Sequence, residues 1–415
     1  MVRDYEGDRL TEPMAARKPR LVVVSPFLDK RHGTERRVVE WISRLSDDFE
    51  IHVYSQRVED IDLAKITWHR IPQIPGPHLL NFIWWFAANH MWRWIDRSFR
   101  GYSPDLVFTA GTNCLDADAV SVHIVFAEFR RQVEAELRFW HNPVWFWPRL
   151  LHRRLYYRLI IFLERHIYRR PGVQLILIAR KTARDLRTHY GISGFLPVVY
   201  IGLDQRAFNP EMRHRLRAEA RRTFGLKEDE FALVLVGNDW KKKGLLTLID
   251  AMGRLQDLPL RLLVAGQDDA SPYQGAIQKA GIEGRITFAP SRKDVAFYYA
   301  AADAYVGPSL EDTFAQPPAE AMACGLGVIT SVTNGTAEII TDGVDGILIQ
   351  DPNNAEELAA QIRRIHQDPA FLRRLGENAA QTARQYTWER NGEQMKEILQ
   401  DLLRRRKCAT TTRSS

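Results

Sequence analysis

Three carboxylates crowd the stretch PSLEDTFAQPPAEAMACGLGVI (308–329): Glu311, Asp312 and Glu320. Two of them could act together on the hydroxyls of a ligand, and residue types alone leave open whether Glu311 or Asp312 is the partner of Glu320. The prolines open a helix and the glycine closes it. Unpaired N–H groups gather at such a helix start and suit a phosphate. Pro317 and Pro318 carry no N–H, so the amides available to an anion belong to Thr313, Phe314, Ala315 and Gln316. Glu320 is expected in the first turn, where the helix dipole favours its ionised form. An acid so placed can grip a ribose diol, as in dinucleotide-binding folds. The competing interpretation is a solvated turn beside a decorated helix start.

Other segments carry weaker chemistry. VGNDWKKKGLLTLIDAM is a strand, a loop with Lys241, Lys242 and Lys243, then Gly244 and an amphipathic helix. Lysines at the mouth of a parallel sheet can neutralise a diphosphate leaving group, although an isolated basic run more often faces water. In SPFLDKRHGTERRVVE, Thr34 can cap a helix and Gly33 can let the backbone approach a ligand. There is no G-x-G-x-x-G, so an NAD fingerprint is unsupported. His123 ends a short apolar run with no acidic neighbour in sequence, a setting more often structural than catalytic. Asp116 and Asp118 form a D-x-D that runs into a strand instead of following one, which argues against a metal site.

These loops need a scaffold, and the chain is long enough for two domains: 415 residues, 45% apolar and 26% charged. The net charge of +7 points to anionic partners. Cys114, Cys324 and Cys408 form no C-x-x-C, which argues against disulfides and zinc and fits a reducing cytosol. Short apolar runs recur: LVVVSP (21–26), IHVYS (51–55), DLVFTAG (105–111), LILIA (175–179) and PVVYIG (197–202), then FALVLVG (231–237), LRLLVAG (260–266), ITFAP (286–290), AYVGPS (304–309), GVITS (327–331) and GILI (346–349). Continuous hydrophobicity suits parallel strands buried on both faces. Amphipathic helices between many of them predict doubly wound α/β sheets. The expected division is a flexible leader at 1–19 without a signal-peptide core, a domain at 20–202, a linker at 203–227 and a second domain at 228–385. A helix at 386–403 and a disordered basic tail at 404–415 follow. Two facing domains of this kind form a cleft at the carboxyl ends of their strands, where the motifs lie.

Together these pieces resemble the retaining glycosyltransferases of family 4. The resemblance is carried by HGTERRVVE, ARKTARDLRTHYG, VVYIGLDQRAF, VGNDWKKKG, LLVAGQDD, the opening stretch, NGTAEIITDGVDGILI and YTWERN, in order from about residue 20 to 395. It implies the GT-B fold: two Rossmann-like domains facing across a cleft, with a C-terminal helix crossing back. The family signature pairs two acids eight positions apart, which selects Asp312 as partner of Glu320 and leaves Glu311 outside. By resemblance Asp312 contacts the donor sugar and Glu320 the ribose. Asp312 is a methylene shorter than the usual Glu, and Ala315 replaces a usual glycine. Lys243 falls on the diphosphate-binding lysine. Asn238 stands where an arginine is usual, so Lys241 or Lys242 can compensate. His123 matches a histidine that some members use near the reacting sugar, and His32 replaces the first glycine of a paired-glycine loop. The implied activity moves a hexose from a nucleotide-sugar, UDP-sugars favoured, to a hydroxyl with retention. Neither metal nor bound cofactor takes part, the nucleotide-sugar being a co-substrate. The VG-x-D-aromatic form looks like the subset that glucosylates the lipopolysaccharide core.

Seven of the eleven tryptophans lie between Trp84 and Trp147, and fourteen Lys/Arg against four Asp/Glu fall between Arg130 and Arg187. Aromatic and basic residues together suit an anionic membrane surface; the alternative is core-facing helices with a solvated basic face. The expectation is a cytoplasmic protein docked peripherally on the inner face of the membrane, with a lipid-linked or envelope glycan as acceptor and no nucleic-acid partner. Two rivals are a nucleotide-sugar epimerase of the same fold and a non-enzymatic anion- or membrane-binding protein.

Overall fold

The structure is a computed structural model that describes residues 17–30, 33–141 and 143–411. His32 and most of the expected leader lie outside the described residues. The first domain contains β1 (Arg20–Val24), β2 (Phe27–Leu28), β3 (Glu50–Ser55), β4 (Arg57–Val58), β5 (Thr67–Arg70), β6 (Leu106–Ala110), β7 (Ala119–Val122) and β8 (Gln174–Leu177). Its helices are α1 (Gly33–Leu45), α2 (His78–Phe99), α3 (Phe126–Gln132), α4 (Trp147–Tyr168) and α5 (Arg180–Tyr190). The strands of the second domain are β9 (Phe231–Val236), β10 (Leu260–Ala265), β11 (Ile286–Ala289), β12 (Ala304–Gly307), β13 (Gly327–Ser331) and β14 (Ile347–Ile349). Its helices are α6 (Pro210–Thr223), α7 (Leu245–Gly253), α8 (Gln274–Ala280), α9 (Ala296–Ala301), α10 (Gln316–Ala323), α11 (Ala355–Gln367) and α12 (Pro369–Ala383), and α13 (Trp388–Thr411) ends the chain.

Both main sheets are parallel and share one order, β5-β3-β1-β6-β7-β8 and β11-β10-β9-β12-β13-β14. In each, the order reverses beside the first strand, and the crevice at that reversal is where loops diverge and ligands fit. The apolar runs are two-sided because successive side chains point to opposite faces. Leu21 and Val23 pack with α1 and α13, while Val22 and Val24 join residues of α2 and α4. The second sheet divides likewise, Leu233 and Leu235 from Val234 and Val236.

Four sequence expectations change. PVVYIG forms no strand beyond a single bridge between Leu177 and Val198. β5, an edge strand reading TWHR, went unanticipated because it lacks an apolar run. Most of the expected linker belongs to the second domain: α6 lies against α9, and Leu203, Phe208, Ala220 and Leu226 enter its core. The C-terminal helix crosses back, with Met395, Leu399 and Leu402 in the first domain's core and Trp41 Nε1 donating to Asn391 Oδ1 at 2.6 Å. It continues to Thr411, so the part of the expected disordered tail that is described is helical.

Candidate functional site

Lys243 follows β9 and Asp312 follows β12, the two strands that flank the reversal in the second sheet. Gly244 makes their meeting possible. Its φ of +79° is in the left-handed region, and a Cβ there would stand 2.1 Å from the Pro308 carbonyl oxygen. The lysine loop therefore lies directly on the loop after β12, with Leu310 N–H donating to the Lys242 carbonyl at 2.7 Å. Lys243 Nζ reaches Asp312 Oδ2 at 2.7 Å, and the lysine is only 8% exposed.

A second close approach shapes the other side of that loop. A Cβ on Gly335 would overlap the Thr313 carbonyl oxygen. Buried Asn334 accepts from Ala315 N–H at 3.2 Å and Thr336 N–H at 3.1 Å, and its Nδ2 reaches Ser309 and Thr330. The Ala315 amide is thus engaged, leaving those of Thr313, Phe314 and Gln316 from the expected set. The Phe314 side chain is buried against Tyr200, away from solvent.

Asn238, Lys242, Lys243, Asp312 and Thr313 line one cavity between the domains, closed on the other side by Ile124, Val125 and Phe129. Lys242 stands 4.5 Å over the Phe129 ring and pairs with Asp239 at 3.1 Å. Lys241 points elsewhere, to Glu136 at 2.7 Å. Asn238 Oδ1 accepts from Gln267 N–H at 3.0 Å, a contact that orients the amide at the place where a cation was expected.

Glu320 departs from expectation. It lies beyond the first turn of α10 and is buried, and burial raises its carboxyl above the ordinary value, countered by Arg36. Tyr299 Oη–H donates to Oε2 at 2.9 Å, and Arg36 of the first domain stands 4.0 Å from Oε1. The helix dipole therefore does not set its charge state; desolvation and a cation from the opposite domain do.

Glu311 is not idle. It pairs with Lys181 of the first domain, whose Nζ also donates to the carbonyls of Asp312 at 3.0 Å and Thr333 at 2.9 Å. Glu338 accepts from the Arg180 and Lys181 amides at 2.6 and 2.7 Å, so a carboxylate of the second domain occupies the N-terminus of α5. Arg36, Lys181, Asn334 and Glu338 were missed as site residues. All four lie inside motifs quoted for the resemblance, but their partners are more than a hundred positions away or turned by local geometry.

His123 is held at both ring nitrogens. Arg37 can only donate, and its guanidinium lies 3.3 Å from Nδ1, so Nδ1 accepts and Nε2–H faces Ser121 Oγ at 2.9 Å. Burial, reinforced by Arg37, pushes the imidazole well below its ordinary value and keeps it neutral. Gly33 opens α1, with no atom within 4 Å of where a Cβ would stand. The D-x-D carboxylates are engaged by arginines: Asp116 bidentately by Arg93 at 2.7 Å, and Asp118 by Arg406 at 2.6 Å.

The aromatic-basic segment divides between the two expected roles. Trp85 is buried in the core, whereas Trp94, Trp140 and Trp145 are 60%, 76% and 77% exposed. No described helix is long and apolar enough to cross a membrane.

Residues 217–382 match the family described as Glycosyl transferases group 1. D-inositol 3-phosphate glycosyltransferase of Streptomyces bingchenggensis (strain BCW-1) is 31% identical over 232 residues, 52% of this chain and 50% of that protein. Lipopolysaccharide glucosyltransferase WaaG of Escherichia coli (strain K12) is 27% identical over 217 residues, 50% of this chain and 57% of its own. The chain thus spans about half the length of the curated relatives it matches. The crystal structure of WaaG, a glycosyltransferase involved in lipopolysaccharide biosynthesis, superposes with a TM-score of 0.72 at 21% identity, covering 91% of this chain and 99% of that one. Anabaena HepE in complex with UDP-glucose superposes with a TM-score of 0.66 at 18% identity over 92% and 99%. The two parallel sheets and their facing cleft are the GT-B fold.

Proposed function

We propose that this protein, a GT-B chain with a group 1 glycosyl transferase match in its second domain, transfers a hexose from a UDP-sugar to a hydroxyl of a lipid-linked or cell-envelope glycan. The reading rests on one observation above all: the Lys243–Asp312 pair, its lysine buried, which faces the interdomain cavity from the reversal point of the second sheet. The likeness to WaaG and to HepE with UDP-glucose supports the donor class and a glycan acceptor.

Before a ligand arrives, Asp312 is the counter-ion of Lys243. A diphosphate in the cavity competes for the ammonium and frees the carboxylate to accept from sugar hydroxyls. As the bond from the anomeric carbon to the diphosphate oxygen breaks, positive charge builds on the sugar and negative charge on the leaving group. Lys243 and the loop amides stabilise the latter. The acceptor oxygen bonds the anomeric carbon from the face the diphosphate leaves, and its proton departs with the diphosphate. The configuration is retained and no metal is needed. Glu320 holds the ribose. Neutral His123 lies beside the reacting sugar, where one of its ring contacts must open before it bonds a substrate.

The exposed tryptophans and the neighbouring arginines of α4 dock the protein on the cytoplasmic face of an anionic membrane, where a lipid-linked acceptor lies. A thermal-shift screen of UDP-, GDP- and ADP-sugars tests the donor, because a ligand bound to the folded state raises its melting temperature. Stabilisation by UDP-sugars is expected; a response to ADP- or GDP-sugars alone overturns the donor class. Sugar turnover without any acceptor would favour the epimerase instead.

A further inference from the structure

The cavity that holds Lys243 and Asp312 is the smaller of two neighbouring chambers between the domains. The larger, of about 700 Å³, is lined by α3 and α5 of the first domain and by Glu311, Glu338 and the loop at 332–335 of the second. That volume suits a ligand site. Glu128, Gln132, Asp185 and Glu311 line both chambers, so a molecule in the larger one presents its end to the smaller.

Three of those four are satisfied from within. Glu128 accepts from Arg131 Nε at 2.9 Å, Gln132 Nε2 at 3.2 Å and His189 Nε2 at 2.8 Å, and Glu311 pairs with Lys181. Asp185 is the exception: its carboxylate has no hydrogen bond or ion pair among the described residues. The side chains one turn away on α5 are committed elsewhere. Lys181 Nζ directs its three hydrogens to Glu311 and to the Asp312 and Thr333 carbonyls, and His189 faces Glu128. Burial raises the half-buried Asp185 carboxyl above its ordinary value; Lys181 opposes the rise, and Glu128 and Glu311 add to it. Ionised Asp185 therefore destabilises the empty protein, and such a break with local satisfaction marks a functional position. Arg131, Arg180, Lys181 and Arg184 balance the carboxylates of the larger chamber, so it favours neither a free anion nor a free ammonium group. Neutral hydroxyls can satisfy an unpaired carboxylate there.

We infer that Asp185 grips hydroxyls of the acceptor sugar, which lies in the larger chamber with its attacking hydroxyl turned towards the smaller. This rests on the transferase reading above and adds to it the acceptor's place and a residue that contacts it. Octyl glucoside, galactoside and mannoside, each below its micellar concentration, are titrated calorimetrically into the full chain saturated with UDP. Saturable binding of at least one is expected, and octyl tetraethylene glycol ether, with the same tail and no sugar ring, should not bind. Asp185→Asn should weaken the glycoside about tenfold, and Asp185→Glu should restore part of the loss. With no partner to lose, Asp185→Asn should hold or raise the melting temperature at pH 8 and keep the stabilisation by UDP-glucose. Absence of binding by all three glycosides, equal binding of the ether, or indifference to Asp185→Asn overturns this role and leaves the transferase reading standing. A fall in melting temperature or loss of UDP-glucose stabilisation in Asp185→Asn makes the residue structural and overturns it too. If no nucleotide-sugar stabilises the unaltered protein, the transferase reading falls and this role with it.

Discussion

Lys243 and Asp312 hold each other at 2.7 Å, so each charge is compensated before any ligand arrives. Removing either leaves the other partly buried and alone, and on the proposed function also removes one contact to the donor. Asp312→Asn and Lys243→Ala are each expected to lower kcat/KM by about 10²–10³ with a folded protein by circular dichroism. Unchanged turnover in both would sink the site assignment. Gly244 acts at the same place through the backbone. Gly244→Ala puts a Cβ 2.1 Å from the Pro308 carbonyl oxygen at a φ of +79°. The dihedral alone costs about 1–3 kcal/mol, and the overlap forces the lysine loop off the loop after β12. Loss of both melting temperature and donor binding is therefore expected, whereas Lys243→Ala should lose donor binding with a smaller fall in melting temperature.

Elements of the first domain are joined by a buried acid. Glu164 of α4 accepts from the Phe126 amide at the start of α3 at 2.9 Å and from Tyr190 at the end of α5. Burial raises its pKa from 4.5 to about 7, against the pull of those donors. The folded state thus holds a proton that the unfolded chain releases near 4.5. The stability tied to that proton is complete below about pH 4.5 and is lost as pH rises through about 7, a swing of order 3 kcal/mol at most. Urea melts should show stability falling from pH 5 to pH 8, with the fall flattened in Glu164→Gln. An equal slope in both proteins contradicts this role. The strands, in contrast, were legible without tertiary contacts, since Leu233 to Val236 are apolar on both faces, a pattern that suits a parallel strand buried on both sides. β5 was illegible for the same reason: TWHR sits at an edge and offers no such run.

At the scale of the molecule, the two domains are tied across the cleft by Lys181 to Glu311, Glu338 to the α5 amides and Arg36 to Glu320, and α13 returns to the first domain. The proposed membrane face involves the whole molecule, because docking fixes which way the cleft opens. The protein is expected to sediment with vesicles containing anionic lipid at low salt and to be released as salt rises. Replacing Trp140 and Trp145 by Ser should weaken this, since both are more than three-quarters exposed and neither fills the core. Failure of the unaltered protein to sediment at low salt removes the membrane proposal and leaves the transferase reading standing.

What the sequence determined by itself was local or periodic: two sets of buried strands and glycine-closed loops after them, whereas the choice of Asp312 over Glu311 came from the family resemblance. Apolar period and turn chemistry are properties of neighbouring residues, so they survive without coordinates. Which charges meet was decided only in three dimensions. Glu311 found Lys181, Glu320 lost the helix start and gained Arg36, His123 acquired Arg37 and Ser121, and the D-x-D closed on arginines. Each of those outcomes depends on desolvation and on partners brought together by the packing of distant elements, and neither quantity is written in the spacing of residues along the chain.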